Sequence, residues 1–189
     1  MSWSGTGRFG LREAPGGLGL VQDFVNTKTI GDYGPDLLSS TELAQPWLSR
    51  ALAAWSAARG LDVPEITLSE GDLAALREVR SLFEQLVHGE EVSAPGPVRT
   101  ALLPGRDGSV RLAPSGAGGD WLVSALWTET LLAQQAKTWP RLKICRREEC
   151  GSAFYDVSRN NSGVWHDVKT CGNISNLRAS RERKRAAAG

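Results

Sequence analysis

The sequence predicts an α+β protein in two parts: a mixed α/β body over residues 1–140 and a small cysteine-bearing module over residues 141–189. Three observations carry this. Apolar residues recur at three- and four-residue spacing in long segments, and two short runs flanking a Pro/Gly turn interrupt them. All three cysteines, Cys145, Cys150 and Cys171, follow Pro140, together with one of the two histidines, His166. Charge divides at the same place: residues 1–140 carry 11 Lys/Arg against 16 Asp/Glu, and residues 141–189 carry 11 against 5. A chain of 189 residues suits one medium domain and a small one.

Met1–Gly19 has six glycines and the turn Pro15-Gly-Gly17, so a poorly ordered start is expected, with Trp3 and Phe9 as possible docking residues. Leu18–Thr27 is apolar, with a period that fits a strand or a helix. Asp23, Asn26 and Thr27 interrupt it with side chains that need hydrogen-bond partners when buried. They are read first as a polar turn or cap fixing the chain beside the core, and second as ligand-binding residues. Gly31–Pro35 is a loop.

Ser39-x-x-Glu42 matches a capping box, and the helix it opens is expected to run to Arg59 and stop at Gly60. Trp47, Ala51, Leu52, Trp55 and Ala58 fall on one face, which reads as core rather than a stacking platform. Ser69 or Glu70 opens the next helix, with a stripe of Leu73, Leu76, Val79, Phe83 and Leu86 up to Gly89 and His88 as a surface cap.

After the connection Glu90–Pro97, Val98–Leu103 and Ser109–Leu112 flank a turn and read as a hairpin. Asp120 is the expected N-cap of a helix Trp121–Lys137, apolar nearly all round and therefore buried between layers. Trp139-Pro140 ends it and marks the boundary of the body.

The last module reads C-x4-C, fifteen residues, then H-x4-C. Two close pairs separated by a loop suit a tetrahedral Zn²⁺, each pair wrapping one side of the metal. Four protein ligands leave no position for a substrate, so Cys145, Cys150, His166 and Cys171 are expected to form a structural site. The alternative is three buried thiols beside an unrelated histidine, which leaves unexplained why positions 1–144 have no cysteine. The expected order is a strand Leu142–Cys145, a knuckle Arg146–Glu149, a strand Ala153–Val157, a loop to His166 and a helix from near Cys171, similar to a treble clef. Phe154 and Tyr155 should face opposite ways, one beside the metal. Gly172 would let the backbone pass close to the metal, and Asn173 or Ser175 would cap the helix. Within that helix Ile174 and Leu177 give a short apolar seam. Arg178, Arg181 and Arg185 share a face flanked by Arg183 and Lys184, spaced to meet phosphates, with Arg159 adding from the loop.

The run Phe154-Tyr-Asp-Val-Ser-Arg-Asn160, Trp165 and Cys171-Gly-Asn173 resemble the CGNR zinc-finger family, whose metal-binding module ends in Cys-Gly-Asn-Arg. Here His166 stands where the family usually has a cysteine, Ile174 where it has its last arginine, and Asn161–Val164 where relatives are arginine-rich. Asp23-Phe-Val-Asn-Thr27, Asp36-Leu-Leu-Ser39 and Trp47-Leu48 resemble the ABATE domain, an α/β domain that commonly precedes this finger in stress-induced transcription regulators of bacteria. Together the resemblances imply a zinc-containing, DNA-binding transcription regulator. Its body would sense a small-molecule effector or mediate assembly, for instance as a homodimer. Ile174 and the loop without arginines motivate the alternative, a zinc-stabilised small-molecule-binding or protein-interaction module without DNA binding.

An odd number of clustered cysteines argues against a disulfide scaffold and for a reducing cytoplasm. The first twenty residues show no signal peptide, and no run approaches a membrane span. Candidate nucleophiles and bases outside the cluster are sparse (Asp23, Asp32, Tyr33, Glu84 and His88), so no enzyme is expected. Loss of Cys171 is expected to release the metal and unfold the tail while the body keeps its own cooperative melt.

Overall fold

The computed structural model describes residues 3–31, 33–93 and 96–186. Asp32, part of the Glu90–Pro97 connection and the last three residues lie outside them. Among the described residues are six α-helices and two small antiparallel sheets, a mixed α/β architecture.

From Trp3 onward the first described segment is ordered. Helix α1 (Ser4–Gly7) follows a buried Trp3, whose indole lies against Gly19 so closely that a Cβ there would overlap the ring. Of the glycines that suggested disorder, Gly19 admits the indole, Gly5 lies against Asp23 and Gly17 against Glu129. Helix α2 (Leu18–Val25) resolves the ambiguous apolar segment as helix, and every one of its residues is buried. It is the central element of the body, packed against α1, against α3 (Thr41–Arg59) and α4 (Glu70–His88), and against α5 (Gly118–Gln135). The apolar run of α2 is only eight residues long, and so short a run does not separate a helical from a strand period.

The stripes of α3 and α4 meet in one core. Trp47, Leu48, Ala51, Leu52 and Trp55 come from α3, and Leu73, Leu76 and Phe83 from α4. Val79 and Leu86 are half-buried at its margin. Ala58 is exposed, because the packed face of α3 ends at Trp55. Phe24 packs edge-on to Phe83 at a centroid distance of 6.2 Å, and Trp55 edge-on to Trp121 at 5.5 Å. Both helices stop at glycines in the left-handed region, Gly60 (φ 61°) and Gly89 (φ 80°).

Two start signals are corrected. Ser40, not Ser39, precedes α3, and Ser39 instead donates its hydroxyl to the Asp36 carbonyl, stabilising a turn. Helix α5 begins at Gly118, so Asp120 lies in its first turn rather than at the cap. It ends at Gln135, short of Lys137, which takes a left-handed φ of 57°. The capping box of α4 forms between Ser69 and Asp72.

Strands β1 (Thr100–Pro104) and β2 (Val110–Pro114) make the expected hairpin, with Leu102 opposite Leu112, and β2 lies on α5. A 3₁₀ turn at Trp139–Arg141 leads into β3 (Leu142–Ile144), which pairs with β4 (Ala153–Tyr155). β4 stops two residues before Val157. This second hairpin packs on the body, β3 against α4 and β4 against α2, and Leu142 and Ala153 belong to the body's buried core. A single π-helical turn (Val168–Gly172) then runs directly into α6 (Asn173–Ala186). No helix among the described residues is long and apolar enough to cross a membrane.

Candidate metal centre

The knuckle between β3 and β4 supplies Cys145 and Cys150, the loop after β4 supplies His166, and the π-helical turn supplies Cys171. The ligand atoms of these four residues lie within 4.8 Å of one another. His166 Nδ1 is 3.3 Å from Cys150 Sγ and 3.7 Å from Cys171 Sγ. A tetrahedral zinc with ordinary Zn–S and Zn–N bonds separates its ligand atoms by about 3.6–3.8 Å. The donor set, three thiols and an imidazole, and their spacing therefore fit a metal ion of that type.

The site has a wall on one side. Phe154 packs against Cys145 and Cys171, while Tyr155, its neighbour on the strand, turns to the body core, as the alternation of a strand requires. Trp165 covers the cluster from the loop. Gly172 lies close beneath this cover: a Cβ there would lie 3.2 Å from the Trp165 ring and 3.4 Å from Val168. The close approach at Gly172 is thus to the indole.

Local hydrogen bonding favours thiolate at one position. Cys150 is pulled down to about 3, first by a hydrogen bond from the Cys145 thiol, against its burial, and then by His166 and Ser152. Cys145 is driven up by donating that bond and by burial. Cys171 is raised by burial and by the charge of Cys150. One thiolate beside two thiols held neutral is the arrangement without a metal, and a divalent cation would be what draws all three sulfurs to the thiolate form. Around it, Arg147 reaches to 4.0 Å from Cys171 Sγ, and Ser152 Oγ lies 3.2 Å from both Cys150 Sγ and His166 Nδ1. Such outer partners orient metal ligands.

The loop from β4 to His166 is tied by Lys143. Its ammonium donates to Asp156 (2.7 Å) and to the carbonyls of Asn161 (2.7 Å) and Gly163 (3.0 Å). Burial would raise Asp156. Lys143, Ser158 and the amide of Gly163 outweigh it and hold the carboxyl well below the usual carboxylate range. Gly163 packs so near Asp156 that a Cβ would meet the carboxylate at 2.9 Å. Sequence reasoning missed this knot; the signal was a lysine in one strand and an aspartate just after its partner.

The start of the final helix differs from expectation. The turn before α6 is capped by Asp167, which accepts from the Lys169 amide. Asn173 instead donates back to the Lys169 carbonyl, and Ser175 lies inside the helix, because the π turn continues unbroken into α6. Ile174 and Leu177 form no buried seam, being 40 % and 57 % exposed. Helix α6 has no buried residue. Arg181, Arg183, Lys184 and Arg185 are exposed along it, as is Arg159 in the loop. Arg178 is also exposed but forms an ion pair with Glu149 of the knuckle, to which Arg147 bonds as well.

Asp23, Asn26 and Thr27 are completely buried and bonded within the chain. Asp23 accepts from the Thr6 amide (2.6 Å) and the Trp47 indole (2.8 Å); burial nonetheless pushes its carboxyl up. Thr27 donates to the Phe24 carbonyl and accepts from Arg80, which also pairs with Asp36. Asn26 bonds both backbone groups of Ala153 in β4. Of the other titratable candidates, Tyr33 is exposed, Glu84 pairs with Lys28 at 3.0 Å, and His88 is exposed at the end of α4. His88 borders a cleft of about 640 Å³ between body and knuckle, lined also by Lys28, Lys143, Arg146, Glu148 and Gly151.

Residues 141–184 match the family described as the CGNR zinc finger. No curated protein matches the chain.

Proposed function

We propose that this chain is a zinc-dependent DNA-binding transcription regulator. Zinc held by Cys145, Cys150, His166 and Cys171 fixes the π turn and thereby the direction of α6. The ABATE-like body senses a small effector or mediates assembly, as a homodimer for example. The carrying observation is α6 itself: fourteen residues without a buried side chain, rich in arginine and projecting from the metal cluster. A helix that is polar all round gains little from its own protein, and a row of arginines offers what a phosphate backbone neutralises. Arg181, Arg183, Lys184, Arg185 and Arg159 are the proposed phosphate contacts, with Arg178 joining them on release from Glu149. The reading carries a cytoplasmic location, no catalytic role, and the regulatory setting that the ABATE resemblance implies.

The test is a salt titration of binding to random duplex DNA, with metal content measured on the same sample. The expected outcome is one zinc per chain and a log–log slope of roughly −0.9 per phosphate contacted. A zinc-loaded chain that binds no duplex at 50 mM salt defeats the DNA reading. The cleft at the body–knuckle junction favours the second reading, a zinc-stabilised module for a small molecule or partner. Under that reading the finger serves only as scaffold, and substitutions in α6 leave function untouched.

A further inference from the structure

A buried hydrogen-bonded contact joins the end of α2 to the strand that follows the metal knuckle. The Asn26 amide, at the end of α2, lies flat against β4: Oδ1 accepts from the Ala153 amide at 2.8 Å, and Nδ2 donates to the Ala153 carbonyl at 2.9 Å. Gln22, one turn earlier, adds a second bond to that carbonyl at 3.2 Å. Ala153 is fully buried and follows Ser152 directly. Ser152 is bound to the metal cluster twice over: its carbonyl accepts from the Cys145 amide at 2.8 Å, and its hydroxyl meets Cys150 and His166.

Asn26 is itself held from behind. Its Nδ2 also reaches Thr6 Oγ1 at 3.3 Å, its carbonyl accepts from Arg8 at 2.8 Å, and the Thr6 amide is fastened to Asp23. Three segments far apart in sequence, Thr6–Arg8, Gln22–Asn26 and Ser152–Ala153, are thus joined by hydrogen bonds in a buried setting, where an unmade bond is costly.

We propose that Asn26 is a positioning residue for the metal centre: by fixing the backbone of Ala153 it sets the place of Ser152 and Cys150, so that metal affinity and the order of the α1–α2 segment are coupled. Coupling between two equilibria is reciprocal. Metal binding therefore tightens the Thr6–Asp23–Asn26 network, and loosening that network weakens metal binding. The body takes part in the site although none of its side chains touches the metal. The inference rests on the metal reading above but not on DNA binding.

The experiment compares full-length wild type, Asn26→Ala and Glu129→Gln. Zinc affinity is measured by competition with a chelator, and the cobalt-substituted absorption spectrum reports ligand geometry. Asn26→Ala is expected to keep one metal per chain but to bind it about 10–100-fold more weakly, the range seen when outer partners of metal ligands are removed. Its cobalt spectrum should shift. Glu129 bonds Trp55 and Arg59, away from Ala153, so Glu129→Gln should lower the melting temperature and leave zinc affinity as it is.

Asn26→Ala with wild-type affinity overturns the proposal, as does an equal loss in Glu129→Gln, which would reveal mere destabilisation. If Asn26→Ala does not fold, wild-type amide exchange decides. The Thr6 amide should slow about tenfold on adding zinc, within the usual range of coupling between sites; slowing of the Cys145 amide with Thr6 unchanged overturns the clamp. A wild-type chain that binds no metal overturns the metal centre first, before any variant is compared.

Discussion

Body and finger are stabilised by different physics. The body encloses Trp47, Trp55, Phe24, Phe83 and a shell of leucines, all essentially inaccessible to water. The finger's own buried cluster is Cys145, Phe154 and Cys171, with Cys150 and Trp165 beside it. A core that small cannot offset the entropy of ordering its loops. Two sources can make up the difference: a metal held by the cluster, which would supply on the order of 10–16 kcal/mol as in isolated zinc-finger peptides, and the insertion of Leu142 and Ala153 into the body. Two parts that look separable by charge and composition are therefore welded along one hairpin.

The largest expected effect tests that weld. Cys171→Ser should lose the metal and melt α6 and the π turn. Because Leu142 and Ala153 lie in the body's core, the body should not melt as before. Burial of a leucine side chain is worth about 2 kcal/mol, which for a chain of this size lowers Tm by roughly 4–8 °C. Calorimetry of the variant decides, and an unchanged body transition would restore the picture of two independent parts that the sequence suggested.

Next in size is a body-only change. Glu129 is 1 % exposed and accepts from Trp55 and Arg59, so Glu129→Ala strands both donors. A loss of about 3 kcal/mol is expected on denaturant unfolding, with zinc stoichiometry unaffected.

Acid sharpens the contrast, because one carboxylate in each part is shifted in opposite directions. Asp156 is held low in the folded finger, so its stabilising contribution is complete above about pH 4, near its unfolded value, and is lost as pH falls toward its folded value. Asp23 is pushed up, so it weakens the folded body at neutral pH, and that penalty disappears as pH falls through its folded value. Amide exchange followed downward from about pH 4, the unfolded value, should show the loop 156–163 loosening while the Thr6–Asp23 region does not. Asp156→Asn, which strips Lys143 of its counter-charge, should cost about 1–3 kcal/mol at neutral pH and flatten the acid slope of the finger.

The smallest effect concerns the arginine helix. Glu149→Gln frees Arg178 from the knuckle. If α6 meets phosphates, the salt slope should steepen by at most about 0.9, read from the same titration that tests DNA binding. An unchanged slope would place Arg178 outside the interface.

Much of this organisation is legible in sequence, where a local rule decides it. Cysteine spacing located the metal cluster, three- and four-residue apolar spacing located α3 and α4, and Gly60 and Gly89 marked their ends. The failures occur where distant partners decide. Helix α2 hid its type because eight residues are too few for the apolar period to separate helix from strand. The glycines of the first nineteen residues read as disorder, yet Gly19, inside α2, admits the Trp3 indole. Ser39 and Asp120 carried valid cap signals that neighbouring turns absorbed differently. Asn26 was recognised as a residue in need of partners, but its partner lies 127 positions away. No pattern within the segment could have named Ala153.

The two bonds from Asn26 to Ala153 also bear on how the molecule behaves in a crowded solution. A two-stranded hairpin leaves the outer rim of each strand with open amides and carbonyls, a template on which a strand from another molecule can dock and grow. At β4 that template is already occupied. A primary amide carries the same donor and acceptor pair as a peptide group, so Asn26 completes the rim as a neighbouring strand would, one residue wide and incapable of extension. Replacing it would leave that rim unpaired but still covered, since Ala153 is fully buried beneath α2, so recruitment of another chain would first require β4 to lift from the body.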